Sequence, residues 1–228
     1  TNPEIDYLLS LVQQQFPQAN ITRDTIIATY AGVRPVISKD RSKAPSKEKR
    51  DHQVWVDNGL VSVSGGKLTT FRLIALDTLD TALALIGPTG TPPPADARRS
   101  IITGATVKPE QLNIDDPALA ARLIGCYGDS VLDMIQQSKT GELSCIEPTR
   151  FCLAEIRWCA RHESVVNLDD LLLRRTRLGL LLKNGGSELL PLLQPICMEE
   201  LGWDHATWVA QRERYMTLWH QHYYLPSA

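Results

Sequence analysis

The chain changes character once, at Gly87-Pro88-Thr89-Gly90-Thr91-Pro92-Pro93-Pro94. A run this rich in glycine and proline can neither continue a helix nor take a place in a sheet, so it reads as a linker and a domain boundary. Strand signals are found only before it, and helical periodicities are found on both sides. This ordering predicts an α+β region over residues 1–90 and an all-helical domain over about 95–228.

Before the linker, Asn2 as N-cap and Pro3 at the first helical position open a helix with apolar residues Ile5, Leu8, Leu9, Val12 and Phe16. Pro17 ends it. Ile26-Ile27-Ala28-Thr29-Tyr30 is β-branched and aromatic, and predicts a strand. Residues 38–50 hold six basic and two acidic residues with no apolar period, which predicts a loop. Gln53–Val56 and Leu60–Ser64 alternate around Asp57-Asn58-Gly59, the strongest short signal for a β-hairpin. A helix carrying Phe71, Ile74, Ala75, Thr78, Leu79, Ala82, Leu83 and Ile86 follows Gly65-Gly66-Lys67.

After the linker, Asp116-Pro117 predicts a helix start and Gly128 separates that helix from Ser130–Gln137. A longer helix is expected over 149–162. Another, capped by Asn167, is expected over 168–182 and stops at Asn184-Gly185-Gly186. Two more complete the chain, the first bent by Pro191 and Pro195, the second begun by Trp203-Asp204.

Charge and thiols narrow the function classes. A formal charge of -2 gives no global attraction to nucleic acid or anionic lipid, so electrostatic function must be local. No apolar run approaches the ~18–20 residues that span a bilayer as a helix. The five cysteines (Cys126, Cys145, Cys152, Cys159, Cys197) contain no CxxC pair, which points to reduced thiols and a cytosolic setting. Cys152 and Cys159 stand seven apart, on one face of a helix, as buried structural thiols. No metal site is expected. Thr1-Asn2-Pro3-Glu4 has neither an initiator Met nor the features of a signal peptide, and reads as the interior of a longer protein.

Three segments carry residues suited to chemistry. Ser64-Gly65-Gly66-Lys67-Leu68-Thr69-Thr70 joins a strand to a helix. Two glycines permit close backbone approach, a helix N-terminus offers N–H donors, and Lys67 adds a full positive charge. The segment is either a site for something anionic or a glycine turn that caps a helix; it lacks the upstream glycine of a phosphate-binding P-loop. Arg34, held extended by Pro35, either pairs with a carboxylate or forks onto a ligand's phosphate or carboxylate. Arg50, in Arg50-Asp51-His52, is a ligand group or a locally paired loop end. Arg174-Arg175-Thr176-Arg177 is either a surface stripe with intramolecular ion pairs or a contact for anionic lipid.

Thr29-Tyr30-Ala31-Gly32-Val33-Arg34-Pro35, Arg50-Asp51-His52 and Ser64–Arg72, in that order and at that spacing, resemble the FAD-dependent glycerol-3-phosphate dehydrogenases. Glu4–Leu9, Leu168–Leu178 and Glu200-Leu201-Gly202-Trp203-Asp204 resemble the same family, so the resemblance covers nearly the whole chain. It implies the C-terminal part of the enzyme: the end of an FAD/substrate domain, then a helical domain. The family's N-terminal half carries the GxGxxG that holds the FAD pyrophosphate; this chain has none, and alone it is expected to be inactive. By the resemblance, Arg34 and Lys67 are catalytic, and Arg34, Arg50 and Lys67 bind glycerol 3-phosphate. Gly65, Gly66, Lys67, Leu68 and Thr69 bind FAD. The resemblance leaves open whether Arg34 lies near the reacting carbon or the phosphate. It implies oxidation to dihydroxyacetone phosphate with electrons passed to quinone. A glycerophosphate oxidase that uses oxygen, and a helical interaction or membrane-docking module without catalysis, are the alternatives. Further partners in this picture are the N-terminal half, a membrane surface and a second copy in a homodimer, but not nucleic acid. The setting is cytoplasmic, with peripheral attachment to the inner face of the cell membrane as the family's route to quinone.

Overall fold

A computed structural model describes residues 1–33, 51–87, 100–101 and 103–225. The described residues form an α+β structure: one two-stranded antiparallel sheet and a majority of helix. They fall into two compact units, residues 31–103 and residues 1–30 together with 104–228. The basic loop 38–50 and the linker from Pro88 onward lie outside the described residues.

In the unit of residues 31–103, Asn58 and Gly59 set the geometry. Both take positive φ, 49° and 82°. That conformation matches a two-residue turn to the right-handed twist of the strands it joins. β1 (His52–Asp57) and β2 (Leu60–Gly65) pair from Asp57 opposite Leu60 to His52 opposite Gly65. Gly65 and Gly66, at φ 79° and 81°, then turn the chain into a 3-10 turn, Leu68–Thr70, and α2 (Phe71–Ile86), which packs on both strands. None of residues 51–87 is buried, and Phe71, Leu73, Leu79, Leu85 and Ile86 of α2 are exposed.

The other unit begins with α1 (Asn2–Gln15), for which Thr1 rather than Asn2 is the N-cap, in a capping box with Glu4. Of its expected apolar face only Ile5 is buried; Leu8 and Phe16 are exposed. The predicted strand 26–30 is not a strand. It is extended, has no ladder partner among the described residues, and donates from Thr29 N to the Tyr223 carbonyl at 2.8 Å. Its residue types suit a sheet, but strand formation requires a neighbour to pair with. Ala28 packs against the larger helical core, so residues 1–30 here accompany the helical unit rather than the hairpin.

The helices are α3 (Pro117–Tyr127), α4 (Val131–Gln137), α5 (Leu153–His162), α6 (Leu178–Leu181), α7 (Leu190–Leu201) and α8 (His205–His222). Asp116 caps α3 by accepting from Ala118 N at 2.8 Å, and Asp204 caps α8 by accepting from Thr207 N at 2.7 Å. A smaller core joins Leu119, Leu123, Val131 and Met134 of α3 and α4. A larger one joins Ile156, Leu172, Leu193, Trp208 and Trp219 with their neighbours. Two predicted helices are corrected. The one expected over 149–162 begins at Leu153; the backbone of Cys152 is extended and pairs with that of Cys145 in an isolated antiparallel β-bridge, both thiols being free. The one expected over 168–182 is interrupted. Asp170–Arg175 is π-helical, Thr176 N and Oγ1 both donate to the Leu171 carbonyl, and Arg177 is left-handed at φ 57°.

Asn184, Gly185 and Gly186 are all left-handed and stop the helix as expected. The reason is larger than a cap. A Cβ on Gly185 would sit 2.9 Å from the Trp219 ring, while Tyr215 Oη donates to the Gly185 carbonyl at 2.6 Å and Trp219 Nε1 to the Gly179 carbonyl at 2.7 Å. Buried charges complete the unit. Arg157 donates to Glu142 Oε1 at 2.7 Å and to Glu200 Oε1 at 2.5 Å, and Arg122 binds Glu155, which is fully buried.

Candidate functional site

The turn between β2 and α2 brings Gly65, Gly66, Lys67, Leu68 and Thr69 together as consecutive residues; Arg34 and Arg50 lie outside the described residues. Gly66 is favoured by its φ, and its surroundings are tight. A Cβ there would meet Ile74 Cδ1 at 2.5 Å and His52 Cβ at 3.2 Å. The turn is therefore wedged between the start of β1 and the first turn of α2.

The chain then stiffens. Thr70 N and Thr70 Oγ1 both donate to the Lys67 carbonyl at 3.0 Å, and Lys67 N donates to Thr70 Oγ1 at 3.3 Å. This closes the 3-10 turn and leaves the amides of Leu68 and Thr69 as the first, intrahelically unsatisfied donors of the helical segment. Both residues are exposed, and no acceptor for their amides is found among the described residues. Lys67 is exposed too, and its ammonium has no ion pair among the described residues. One lysine and two backbone donors at a helix start form a surface suited to negative charge.

Sequence reasoning missed the group that braces this surface. His52 Nε2 lies 2.7 Å from Asp77 Oδ2, with side-chain exposures of 15% and 46%. Attention fell on Arg50 in the same motif, whereas His52 is the residue placed against Gly66. The signal was available in the register: a two-residue turn at Asn58-Gly59 sets His52 opposite Gly65.

In the helical unit the basic tract divides. Arg174 is held by Asp169 Oδ2 at 2.5 Å and Asp170 Oδ1 at 2.8 Å, and Asp169 also binds Arg214. Burial pushes the Asp169 carboxyl up, but the bonds from Arg174 and Arg214 outweigh it and hold it below its ordinary value. Arg175 and Arg177 are exposed and have no ion pair among the described residues. Arg177 stands with Tyr30, Phe151 and Leu180 at a cavity of about 450 Å³. Cys152, Cys159 and Cys197 are buried, and burial raises all three thiols, Cys152 and Cys197 to about 12. Cys152 and Cys159 are thus the structural thiols the sequence predicts. Among the described residues no cluster of His, Cys, Asp or Glu is arranged to hold a metal ion, and no helix is long and apolar enough to cross a membrane.

Residues 98–208 match the family described as the C-terminal domain of alpha-glycerophosphate oxidase. The chain is 28% identical to the mitochondrial glycerol-3-phosphate dehydrogenase of Arabidopsis thaliana, over 88% of this chain and 36% of that protein. It is also 28% identical to the aerobic glycerol-3-phosphate dehydrogenase of Staphylococcus aureus, over 77% of this chain and 34% of that protein. The chain spans about a third of the length of these curated relatives.

Proposed function

From a chain similar to the C-terminal portion of glycerol-3-phosphate dehydrogenases, we infer the function of the whole: a flavoenzyme that oxidises glycerol 3-phosphate to dihydroxyacetone phosphate. The reading rests on the Gly65–Thr69 turn. A Cβ at Gly66 would press on Ile74, and the turn presents N–H donors and an ammonium that have no partner among the described residues. That donor set fits the electron-rich edge of an isoalloxazine ring, so Gly65, Gly66, Lys67, Leu68 and Thr69 are assigned to FAD. FAD, when bound, supplies the acceptor for the hydride at C2 of the substrate.

The chain's own residues act electrostatically. Lys67 and the amides of Leu68 and Thr69 put positive charge where negative charge accumulates, and being fixed in place they need little reorganisation to do so. Gly65 and Gly66 supply the positive φ of the turn, and Gly66 leaves room for Ile74 and His52 behind it. Arg34 and Arg50, with Lys67, are assigned to glycerol 3-phosphate, whose phosphate suits a guanidinium fork. The exposed cations Arg175 and Arg177 are assigned to an anionic membrane surface, which fits delivery of electrons to quinone at the inner face of the cell membrane. The match to an oxidase domain supports oxygen as the second reading of the acceptor.

Two measurements on the complete protein test this. Lys67→Met should lower the flavin's reduction potential by roughly 30–65 mV, the equivalent of losing ~1.5–3 kcal/mol of hydrogen bonding to a charged group. An unchanged potential and reduction rate would remove Lys67 from the site. Under argon, glycerol 3-phosphate should reduce a quinone analogue; turnover that requires oxygen would establish the oxidase instead.

A further inference from the structure

We propose that the His52–Asp77 pair is a positioning device for the Gly65–Thr69 turn: a cross-link from the start of β1 to α2 that fixes where Lys67 and the amides of Leu68 and Thr69 stand. The proposal rests on the assignment of that turn to the flavin.

Three observations carry it. His52, the first residue of β1, is paired in the hairpin register with Gly65, the last strand position before the chain turns. Its Nε2 donates to Asp77 Oδ2 at 2.7 Å, and the ring is only 15% exposed although no residue of 51–87 is classed as buried. Apolar contact, such as that of Ile74 beside the turn, resists sliding poorly, whereas a charged acceptor at hydrogen-bond distance selects one alignment. Finally, Gly66 lies between His52 and Ile74, and Ile74 and Asp77 stand three apart, on one face of α2. The side of His52 therefore abuts the turn while its tip holds the helix that the turn leads into. Loss of the link leaves every flavin-facing group in the chain but frees α2 to shift along the hairpin, and Lys67 with it.

This role differs from that of a residue needed only for folding. In the complete FAD-loaded enzyme, His52→Leu and Asp77→Leu should each lower kcat about ten- to a hundredfold, the scale of an ångström-sized misplacement. Each should lower the flavin potential in the same direction as Lys67→Met and leave KM within about threefold. FAD content and the melting transition should stay close to the parent. The double variant should be no worse than either single one, as expected of two groups acting as a unit. His52→Gln, which keeps a donor, should recover most of the rate. Unchanged kcat and potential in both leucine variants would overturn the proposal. So would losses that merely track lost FAD or a lowered melting point, additive losses in the double variant, or failure of His52→Gln to recover. If Lys67→Met lowers the potential and His52→Leu does not, the positioning role alone fails. If Lys67→Met leaves the potential unchanged, the flavin assignment of the turn fails and the positioning role falls with it.

Discussion

The helical unit and the hairpin unit are built from similar residues and bury them very differently. Leu123, Leu193, Tyr215 and Trp219 are fully enclosed in the first, whereas the second exposes Leu73, Leu79, Leu85 and Trp55 and buries no residue between 51 and 87. Burial of a leucine-sized side chain contributes ~1.5–3 kcal/mol, so the two units draw on very different reserves. The unit with the poorer core carries the candidate chemistry. Its helix starts with amides that have no acceptor among the described residues, and His52 of the hairpin bonds to Asp77 of that helix. The better-buried region is the helical one, and the proposed chemistry lies in a region whose apolar side chains are largely exposed.

The largest expected effect lies in the helical unit's charges. Arg157→Met strands Glu142, whose carboxylate is held by the Arg157 guanidinium from a side chain only 4% exposed, and leaves Glu200 with Arg161 alone. Removing one partner of such a set costs about 3–5 kcal/mol. Denaturant unfolding of the chain, followed at helix-specific wavelengths, measures it; a cost below about 1 kcal/mol would mean that the network is solvated after all.

Next comes a matched pair of leucine truncations. Leu193→Ala, in α7, should cost about 2–5 kcal/mol because it opens a cavity in a closed core. Leu79→Ala, at 49% exposure in α2, should stay within about 0.5 kcal/mol in the same chain. Equal costs would dissolve the distinction between the units.

A smaller effect follows from acid. Burial raises the carboxyls of Glu142 and Glu200, but their arginine partners more than reverse this, and both end below the ordinary value of 4.5. Their folded-state values are depressed, so their contribution is complete above that value and is lost as pH falls below it, toward the folded values. The helical melting transition should therefore move down in temperature between about pH 5 and pH 3. Arg157→Met should flatten that dependence; an equally steep profile in the variant would show that other groups cause it.

The sequence revealed the parts of this comparison that local chemistry decides. Asn58-Gly59 specifies the turn and with it the whole register; Asp116, Asp204 and Asn184-Gly185-Gly186 mark helix ends. The ion pairing of Arg174 with Asp170 is an i, i+4 relation and was legible as one of two alternatives. What depends on distant partners was not. Nothing local tells that Ile26–Tyr30 would stay extended without a ladder, or that Arg157 would meet Glu142 and Glu200, fifteen and forty-three positions away. The π-helical stretch at Asp170–Arg175 also escaped, because Leu168–Leu182 has the apolar spacing of an unbroken helix and only the tertiary fit of Thr176 and Arg177 breaks it. At the site, the glycine turn and Lys67 were visible as a motif, while the position of His52 against Gly66 emerged only from strand pairing.

The division between a well-buried unit and a poorly buried one proposed to face the flavin is tested most directly by amide hydrogen exchange, measured on this chain alone and on the complete FAD-loaded enzyme. Amides of α5 and α7 should be protected to the level of global unfolding in both samples. Amides of α2, and those of Leu68 and Thr69, should exchange readily in the chain alone and slow at least tenfold, the equivalent of ~1.4 kcal/mol, in the complete enzyme. Protection of α2 in the chain alone equal to that of α7, or amides of Leu68 and Thr69 that exchange at the same rate with and without flavin, would contradict it.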